Sequence, residues 1–283
     1  MLAELIRQKA KTCRGPDGKE YAALFLKEIR EIGAFCQVAA KEVEITALEL
    51  GVIPEKYQRS MGSVGGAAGQ LMLLKARVAV LGAGGLGGTV VELAARMGFG
   101  TLVVLDGDVF SDSNLNRQLL ATEKNAGKSK AEEAAARAAN INSAVRVIPY
   151  SCYATRDNLA EKIAGCDVVI DCLDNLPSRF IAEAVAKELG IPLVHGAIAH
   201  HLGQITTIFP EDPGLSLIYG KLPPDQEKGI EKELGNPATT PAVIAALEVQ
   251  EAMKIILKRK SILRNRLLLI DIENGTMETL KLT

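Results

Sequence analysis

The chain has 283 residues, enough for one large domain or for one domain with an appendage. Its 33 Lys and Arg nearly balance 34 Asp and Glu, so net charge does not favour nucleic acid or an anionic membrane as a partner. The N-terminal stretch "MLAELIRQKAKTC" spreads charges among its apolar residues, so we expect neither a signal peptide nor a transmembrane span. The five cysteines form no C-x-x-C pair, which favours reduced thiols and a cytoplasmic location over disulfides or a zinc site.

The first 52 residues are predicted to form a helical extension. "YAALFLKEIREIGAFCQVAAKEVEITALEL" spaces its apolar residues by three and four, with charges between them. "RGPDGKE" is predicted to be a turn between helices, and the Gly-rich "GVIPEKYQRSMGSVGGAAG" a connector. We therefore divide the chain into an N-terminal helical extension, residues 1–52, and a main domain, residues 53–283.

Short apolar strands alternate with helices in the main domain. Strands are predicted at "ARVAVL", "TLVVLD", "AVRVIPYS", "DVVIDCLDN" and "IPLVHGAIA", with a helix after each of the first four. Because these strands are almost wholly apolar, they indicate an α/β, Rossmann-like, doubly wound and mostly parallel sheet. "GQITTIF" continues as a strand, residues 210–240 are expected to form a long mobile loop, and "PAVIAALEVQEAMKIILK" a helix. "RLLLIDIENGTMETLKL" predicts closing antiparallel strands that turn at Asn274-Gly275.

A glycine motif lies between the first of these strands and its helix. "GAGGLGG" satisfies G-x-G-x-x-G through Gly82, Gly84 and Gly87, with Gly85 in the same loop. Glycines let the backbone turn tightly and approach phosphate, and the N-terminus of the helix favours negative charge. Asp106 ends the second strand, where an acid can accept hydrogen bonds from ribose hydroxyls. The motif predicts an adenosine-nucleotide site but does not distinguish a dinucleotide enzyme from a mononucleotide one.

Polar side chains follow the second and fourth strands. The loop "DGDVFSDSNLNRQLL" supplies Arg117, "GKSK" places Lys130 at the start of a helix, and "DCLDN" ends in Asp174 and Asn175. Because ligands bind at the carboxyl edge of an open parallel sheet, we expect these residues and the acid of the second strand to converge on one nucleotide. A nucleotidyl-transfer enzyme needs cations on the phosphates and a carboxylate for magnesium, whereas hydride transfer does not.

As a set, these motifs resemble the ThiF, MoeB and HesA proteins, the bacterial relatives of ubiquitin-activating enzymes. The resemblance rests on "GAGGLGG", "DGDVFSDSNLNRQLL", "GKSKAE" and "CLDN", and it covers roughly residues 53–283. "EKYQRS" is similar to the Arg-Tyr-x-Arg-Gln segment that precedes the first strand in that family. The resemblance implies an adenylyltransferase that uses ATP and Mg²⁺. It would adenylate the C-terminal glycine of a small ubiquitin-like sulfur carrier with a Gly-Gly tail, releasing pyrophosphate.

The resemblance also implies roles for individual residues. Asp106 resembles the acid that holds the ribose, with Asp108 beside it, and Asp174 the acid that faces magnesium and phosphate. Arg117 and Lys130 resemble the phosphate-binding pair. Further nucleotide contacts are implied for Asn114 and Gln118. Arg59 matches an arginine that reaches the active site of the neighbouring subunit, so the resemblance implies a homodimer.

The sequence also departs from the family. It lacks the two C-x-x-C pairs that bind a structural zinc in typical members, so no zinc is expected. "YGKLPPDQEKGIEKELGNPATTP", before the last helix, contains no cysteine, so we expect the acyl-adenylate to pass to an external sulfur donor without a catalytic cysteine. His195, His200 and His201 are expected to pack at strand ends, because adjacent strand residues do not easily face one ion.

Other functions stay open at this point. A related adenylating enzyme would act on a small carboxylate or on a tRNA base, as the family's tRNA threonylcarbamoyladenosine dehydratases do. The sequence has no basic stretch that demands tRNA, so a nucleic-acid partner is not expected. An NAD-dependent oxidoreductase would bind NAD and need no Lys130. A non-catalytic nucleotide-binding module would not need the acidic and basic residues that this sequence carries.

Overall fold

A computed structural model of the protein describes residues 1–15, 18–220 and 235–282. The first part of the chain forms three helices and a small three-stranded sheet with its own apolar core. The helices are α1 (Leu2–Lys9), α2 (Leu26–Cys36) and α3 (Ala40–Glu49). The strands are β1 (Lys11–Arg14), β2 (Glu20–Leu24) and β3 (Ile53–Pro54). Buried Ile6, Ile29, Ile32 and Val43 pack together between them.

The extension contains a hairpin where the sequence predicted a turn between helices. β1 pairs antiparallel with β2, with Cys13 opposite Tyr21. The turn at "RGPDGKE" therefore joins strands, although its residues 16–17 lie outside the described residues. Strands of four or five residues are too short to show an alternation of apolar and polar residues. The helical pattern of the following segment was therefore extended over them. β3 pairs with β2 through Ile53 and Ala23, so the small sheet runs just past the predicted boundary at residues 52–53.

The Gly-rich connector is helical. It forms a 3₁₀ helix (Glu55–Ser60), a single turn α4 (Met61–Val64) and the helix α5 (Gly66–Lys75). Its glycines serve close packing as well as turning. Gly65 ends α4 with a φ of 90°, and a Cβ on Gly69 would lie 1.8 Å from the carbonyl oxygen of Val64. Composition alone therefore misread a tightly packed helical segment as a linker.

The main domain is an eight-stranded sheet with helices on both faces. Its strands are β4 (Arg77–Leu81), β5 (Thr101–Leu105), β6 (Arg146–Tyr150), β7 (Val168–Asp171), β8 (Leu193–Ala199), β9 (Leu202–Ile208), β10 (Arg266–Asp271) and β11 (Thr276–Lys281). Its helices are α6 (Gly85–Met97), α7 (Lys130–Ile141), α8 (Arg156–Ile163), α9 (Leu176–Glu188), the single turn α10 (Ser216–Tyr219) and α11 (Thr239–Ile256). The short turn α10 lies within the predicted mobile loop, of which residues 221–234 lie outside the described residues.

The strand order places a crevice beside β4. The order is β11-β10-β9-β8-β7-β4-β5-β6, and β4 to β8 are parallel while β9 to β11 are antiparallel. The chain leaves β4 towards β5 and β6, then returns to the other side of β4 as β7. Such a reversal opens a ligand crevice at the carboxyl ends of the two strands beside it. The fold class predicted from the sequence is confirmed.

Successive residues of β4 face opposite helical layers. Val78 packs with α6, α7 and α11, whereas Ala79 packs with α8 and α9. This alternation explains why the strands are almost wholly apolar, since both faces are covered.

Among the described residues, no helix is long and apolar enough to cross a membrane.

Candidate functional site

A cavity of about 670 Å³ opens at the carboxyl edge of the sheet, beside β4 and β7. Ten residues that the sequence singled out line it: Gly82, Gly84, Gly85, Asp106, Asp108, Arg117, Gln118, Lys130, Asp174 and Asn175. The strand order explains this convergence, because β4, β5 and β7 are neighbours and end at the same edge. Three other predicted residues, Gly87, Asn114 and Arg59, are not among the lining residues.

The glycine loop leaves no room for a side chain at two of its glycines, because backbone atoms lie where the Cβ would be. Gly82 has a φ of 93°, and a Cβ there would lie 2.7 Å from the carbonyl oxygen of Cys172. A Cβ on Gly87 would lie 1.8 Å from the carbonyl oxygen of Gly82, so this glycine allows close packing rather than ligand contact. Gly85 and Leu86, the first two residues of α6, line the cavity, and the first backbone N–H groups of a helix have no intrahelical partner and can bind phosphate.

Asp106 is held rigidly at the end of β5. Its Oδ2 accepts a hydrogen bond from Ala83 N across 2.7 Å, and its Oδ1 accepts one from Asp108 N across 2.8 Å. Burial raises the pKa of this carboxyl, and the two backbone hydrogen bonds oppose that rise. Each carboxylate oxygen has a second lone pair, so Asp106 can still accept hydrogen bonds from a sugar hydroxyl.

The polar loop after β5 is attached to the start of α7. Val109 and Ser129 form an isolated antiparallel bridge, and Phe110 N donates to Lys128 O across 2.9 Å. Ser129 then caps α7, since its side chain accepts a hydrogen bond from Glu132 N. These contacts carry Lys130, the first residue of α7, to the edge of the cavity.

Lys130 is buried and paired with an acid of the same loop. Its Nζ lies 3.1 Å from Asp108 Oδ2, and its backbone N donates to Asp108 O across 3.0 Å. Tyr153 also donates from its hydroxyl to Asp108 Oδ1 across 2.6 Å. Asp108 therefore positions one cation and one phenol at the cavity wall.

Arg117 and Gln118 reach the cavity from the far end of the loop. Arg117 donates from Nη1 to Asn116 Oδ1 across 2.8 Å and to Ser113 O across 3.0 Å. Gln118 is buried, its amide group lies close to Gly84, and its Oε1 has no hydrogen-bond partner in the protein. An unpaired buried acceptor costs free energy, so this amide fits a site that is completed by a ligand donor.

The segment after β7 supplies Asp174, which lines the cavity together with the residues of the polar loop after β5. Asp174 is exposed at the cavity, and its Oδ1 accepts a hydrogen bond from Asn175 Nδ2 across 3.2 Å. Asn175 caps α9, because its Oδ1 accepts from Ser178 N across 2.9 Å. Exposed carboxylate oxygens are the ligands that Mg²⁺ prefers, and Asp174 and Asp108 are the acids of this kind at the wall. The residues present therefore fit a magnesium ion held jointly with phosphate oxygens.

Two of the predicted contacts lie elsewhere. Asn114 is buried under the loop, where its Oδ1 accepts a hydrogen bond from Ser111 N and its carbonyl oxygen accepts one from Gln118 N. It supports the loop from behind, so its direct contact with a nucleotide stays a prediction. Arg59 is exposed in the 3₁₀ helix Glu55–Ser60, away from the wall of its own cavity.

The sequence analysis missed Tyr153 and Arg179, which also line the cavity. A Cβ on Gly107 would lie 2.8 Å from the ring of Tyr153, so the glycine makes room for the ring. Arg179 is buried in the first turn of α9 and donates from Nη2 to Leu173 O across 2.6 Å. Both follow strands that end at the carboxyl edge, so the rule that located Asp174 would have indicated them too.

Behind Arg179 lies a buried polar network. His195 Nδ1 is 2.8 Å from Asp171 Oδ2, and its Nε2 is 2.9 Å from the hydroxyl of Tyr219, which also accepts from Arg179. Burial lowers the pKa of His195 despite the neighbouring acid. His195 is the third residue of β8 and not a strand-end residue as expected, and both of its ring nitrogens have a hydrogen-bond partner.

Two cysteines line the cavity, Cys152 and Cys172. Burial raises the pKa of Cys172 well above its usual value, which keeps it a thiol. Its Sγ lies 3.9 Å from the buried carboxyl of Glu248. The thiolate is the nucleophilic form, so Cys172 is poorly suited to covalent catalysis.

Comparison with known proteins identifies the family. The ThiF family model matches residues 57–283. The "SAMP-activating enzyme E1" of Haloferax volcanii is 39% identical over 214 residues, covering 76% of this chain and 79% of that protein. The "Sulfur carrier protein adenylyltransferase" of Thermus thermophilus is 36% identical over 212 residues, covering 73% of this chain and 78% of that protein. These matches confirm the resemblance drawn from the motifs.

The crystal structure of E. coli MccB with MccA-N7isoASN has the same fold, with a TM-score of 0.70 at 19% identity over 92% of this chain and 80% of that chain. The chain spans about half the length of other curated relatives that it matches. It covers 48% of the Xenopus laevis "Adenylyltransferase and sulfurtransferase MOCS3", for example. The family model covers most of the chain and two relatives exceed 30% identity over most of their own length, so the chain belongs to the ThiF family.

Proposed function

We propose that this protein is an adenylyltransferase that activates the C-terminal glycine carboxylate of a small ubiquitin-like sulfur carrier. The observation that carries the proposal is the cavity in which a glycine loop, Asp106, Lys130, Arg117 and Asp174 meet. Relatives named as a SAMP-activating enzyme E1 and as a sulfur carrier protein adenylyltransferase support it. Hydride transfer develops no charge on phosphorus, so it does not require Arg117 and Lys130 at the wall in the way that nucleotidyl transfer does.

The reaction forms one bond and breaks one. A carboxylate oxygen of the carrier attacks the α-phosphorus of ATP, and the bond to the pyrophosphate oxygen breaks, giving an acyl-adenylate and pyrophosphate. A carboxylate is already ionised at neutral pH, so no general base is required. The protein then contributes positioning and charge neutralisation. Lys130 and Arg117 supply the positive charge, and the first turn of α6 supplies backbone donors.

The remaining wall residues hold the rest of the nucleotide and its metal. Asp106 accepts from the ribose hydroxyls, with Asp108 beside it, and Gln118 Oε1 and Asn175 make further contacts. Asp174 would hold a Mg²⁺ ion together with the phosphates. When bound there, Mg²⁺ would supply neutralisation of phosphate charge and orientation of the triphosphate. The fit rests on the exposed carboxylates at the wall and on the unpaired amide oxygen of Gln118.

We further propose that the acyl-adenylate passes to an external sulfur donor. No cysteine follows Cys172 in the sequence, and the pKa of Cys172 is raised by burial. Cys152, at the cavity wall, is the thiol to exclude by experiment. A carrier–enzyme thioester that reducing agent releases would contradict this part of the proposal.

The protein is proposed to act as a homodimer in which Arg59 serves the neighbouring site. Arg59 is exposed and does not line the cavity of its own chain. Leu115 and Leu119 of the polar loop expose 42% and 54% of their surface, which suits a partner rather than solvent.

Exchange of labelled pyrophosphate into ATP tests the proposed reaction. Small ubiquitin-fold carriers that end in Gly-Gly are supplied one at a time, each with a tail-deleted control. We expect exchange that requires one intact tail. ATP binding without exchange for any carrier would favour a small carboxylate or tRNA substrate. NAD binding without ATP binding would overturn the proposal.

A further inference from the structure

Two histidines and a glutamate meet at the end of the sheet outside the cavity. His200 and His201 form the turn between β8 and β9, and Glu273 lies in the turn between β10 and β11. One ligand atom from each side chain lies within 4.8 Å of the other two. The expectation that the adjacent histidines do not easily face one ion assumed that they lie in a strand, whereas they lie in the turn between two strands.

The backbone conformation between β8 and β9 brings the imidazole rings of His200 and His201 together. His200 has a φ of 55°, which removes the alternation of side chains that a strand imposes. The centroids of the two imidazole rings are 4.2 Å apart, with the ring planes at 86°. The two turns are also joined, since Ile272 N donates to His201 O across 3.0 Å.

The turn is held firmly from the main domain. His200 N donates to Gly235 O across 3.1 Å and to Asn236 Oδ1 across 3.0 Å. His200 O accepts a hydrogen bond from Thr240 Oγ1, at the start of α11, across 2.7 Å. The backbone that carries the imidazoles is thus fixed, while the exposed side chains of His200 and Glu273 remain able to rotate.

We propose that His200, His201 and Glu273 form a binding site for a divalent transition metal of the zinc, cobalt or nickel class. Imidazole nitrogens and a carboxylate oxygen are ligands that suit these ions. A tetrahedral ion separates its ligand atoms by about 3.4 Å, so rotations that bring these atoms together by at most about 1.4 Å complete the site. Asp271, paired with Leu202 next to His201, adds a second acid nearby.

This site differs from the zinc site that typical family members carry. The expectation that no zinc is bound followed from the absence of C-x-x-C pairs, so it concerned a site with cysteine ligands. The proposed ligands are two imidazoles and one carboxylate, and water completes the coordination.

Metal titration of the full chain tests the site without any measurement of activity. The reduced, nucleotide-free protein is titrated with Co²⁺ by visible absorption and with Zn²⁺ by calorimetry. We expect one equivalent to bind, and His200→Asn, His201→Gln and Glu273→Gln each to weaken binding at least about tenfold. Asn is chosen because it tolerates positive φ. Glu278→Gln, an exposed carboxylate on β11, is the matched control and should bind as the parent does.

Three outcomes would overturn the proposal. One is stoichiometric binding that survives in the variant with both histidines replaced. Another is parent binding no tighter than that of this double variant. The third is a thiolate-to-cobalt charge-transfer band, which would assign the ion to cysteine. Glu273→Gln lies on an exposed turn and should leave folding intact, so it keeps the test decisive if a histidine variant fails to fold.

Discussion

Lys130 is buried, yet its ammonium nitrogen lies 3.1 Å from a carboxylate oxygen of the exposed Asp108. The pair joins the start of α7 to the loop after β5, and a backbone hydrogen bond between the same two residues reinforces it. A buried cation whose ion-pair partner is exposed can exchange that partner for a more strongly charged one. We expect a triphosphate to be that partner.

Replacing Lys130 should therefore abolish most of the chemistry. We expect Lys130→Met to lower carrier-dependent pyrophosphate exchange by about 10²–10³, because one preorganised charge at the reacting phosphate is lost. Lys128→Met is the matched control, since Lys128 is exposed and pairs only loosely with Glu133, across 3.6 Å. Equal losses in the two variants would assign the effect to helix α7 and not to the cavity.

Variants of Arg117 and Asp174 should differ in how their reaction rates depend on the Mg²⁺ concentration. We expect Arg117→Ala and Asp174→Asn both to slow pyrophosphate exchange, by about 10²-fold or more. Only Asp174→Asn should raise the Mg²⁺ concentration needed for half-maximal rate, since it removes a metal ligand. Wild-type exchange rates in both variants would show that neither residue serves the reaction.

Mixing two inactive variants tests whether Arg59 acts across a dimer. Arg59→Ala and Lys130→Met should each be nearly inactive alone. In random mixed dimers, one site of each heterodimer regains both residues, so an equal mixture should recover about a quarter of the wild-type rate. If subunit exchange is shown independently and no activity is recovered, Arg59 either acts within its own chain or has no role in the reaction.

The buried Glu248 should make stability depend on pH. Burial raises its pKa well above the usual 4.5, so the folded chain keeps a proton that the unfolded chain releases above that value. The free energy of unfolding contributed by this group therefore falls as pH rises from about 4.5 towards the folded-state pKa. The isosteric Glu248→Gln variant has no such group, so its stability relative to the parent should increase over this range.

Urea unfolding at pH 5 and pH 7.5 measures this difference. We expect the free energy of unfolding of Glu248→Gln, measured relative to the parent, to be larger at pH 7.5 than at pH 5. Glu278→Gln, on the exposed strand β11, should change stability by less than about 0.5 kcal/mol at either pH. A Glu248→Gln variant with the pH dependence of the parent would show that this carboxyl is ionised in the folded chain.

Local patterns in the sequence determined most of the main domain. Wholly apolar strands alternating with helices predicted the parallel sheet, because both faces of each strand are covered. "GAGGLGG" predicted the loop before α6, since a φ of 93° at Gly82 and the close approach of Gly87 both need glycine. The Asn274-Gly275 turn predicted the pairing of β10 with β11. These are properties of neighbouring residues, so a single sequence contains them.

Other features depended on contacts between distant parts of the chain. The strands β1 and β2 are too short to show a period, and only the end of β2, at Leu24, is buried in the core formed with α2 and α3. The positions of Tyr153 and Arg179 at the cavity follow from which strand ends are neighbours. The meeting of His200 with Glu273 follows from the pairing of β9 with β10. Sequence thus determined the elements and the residue types at their ends, whereas the order of strands in space decided which of those residues touch.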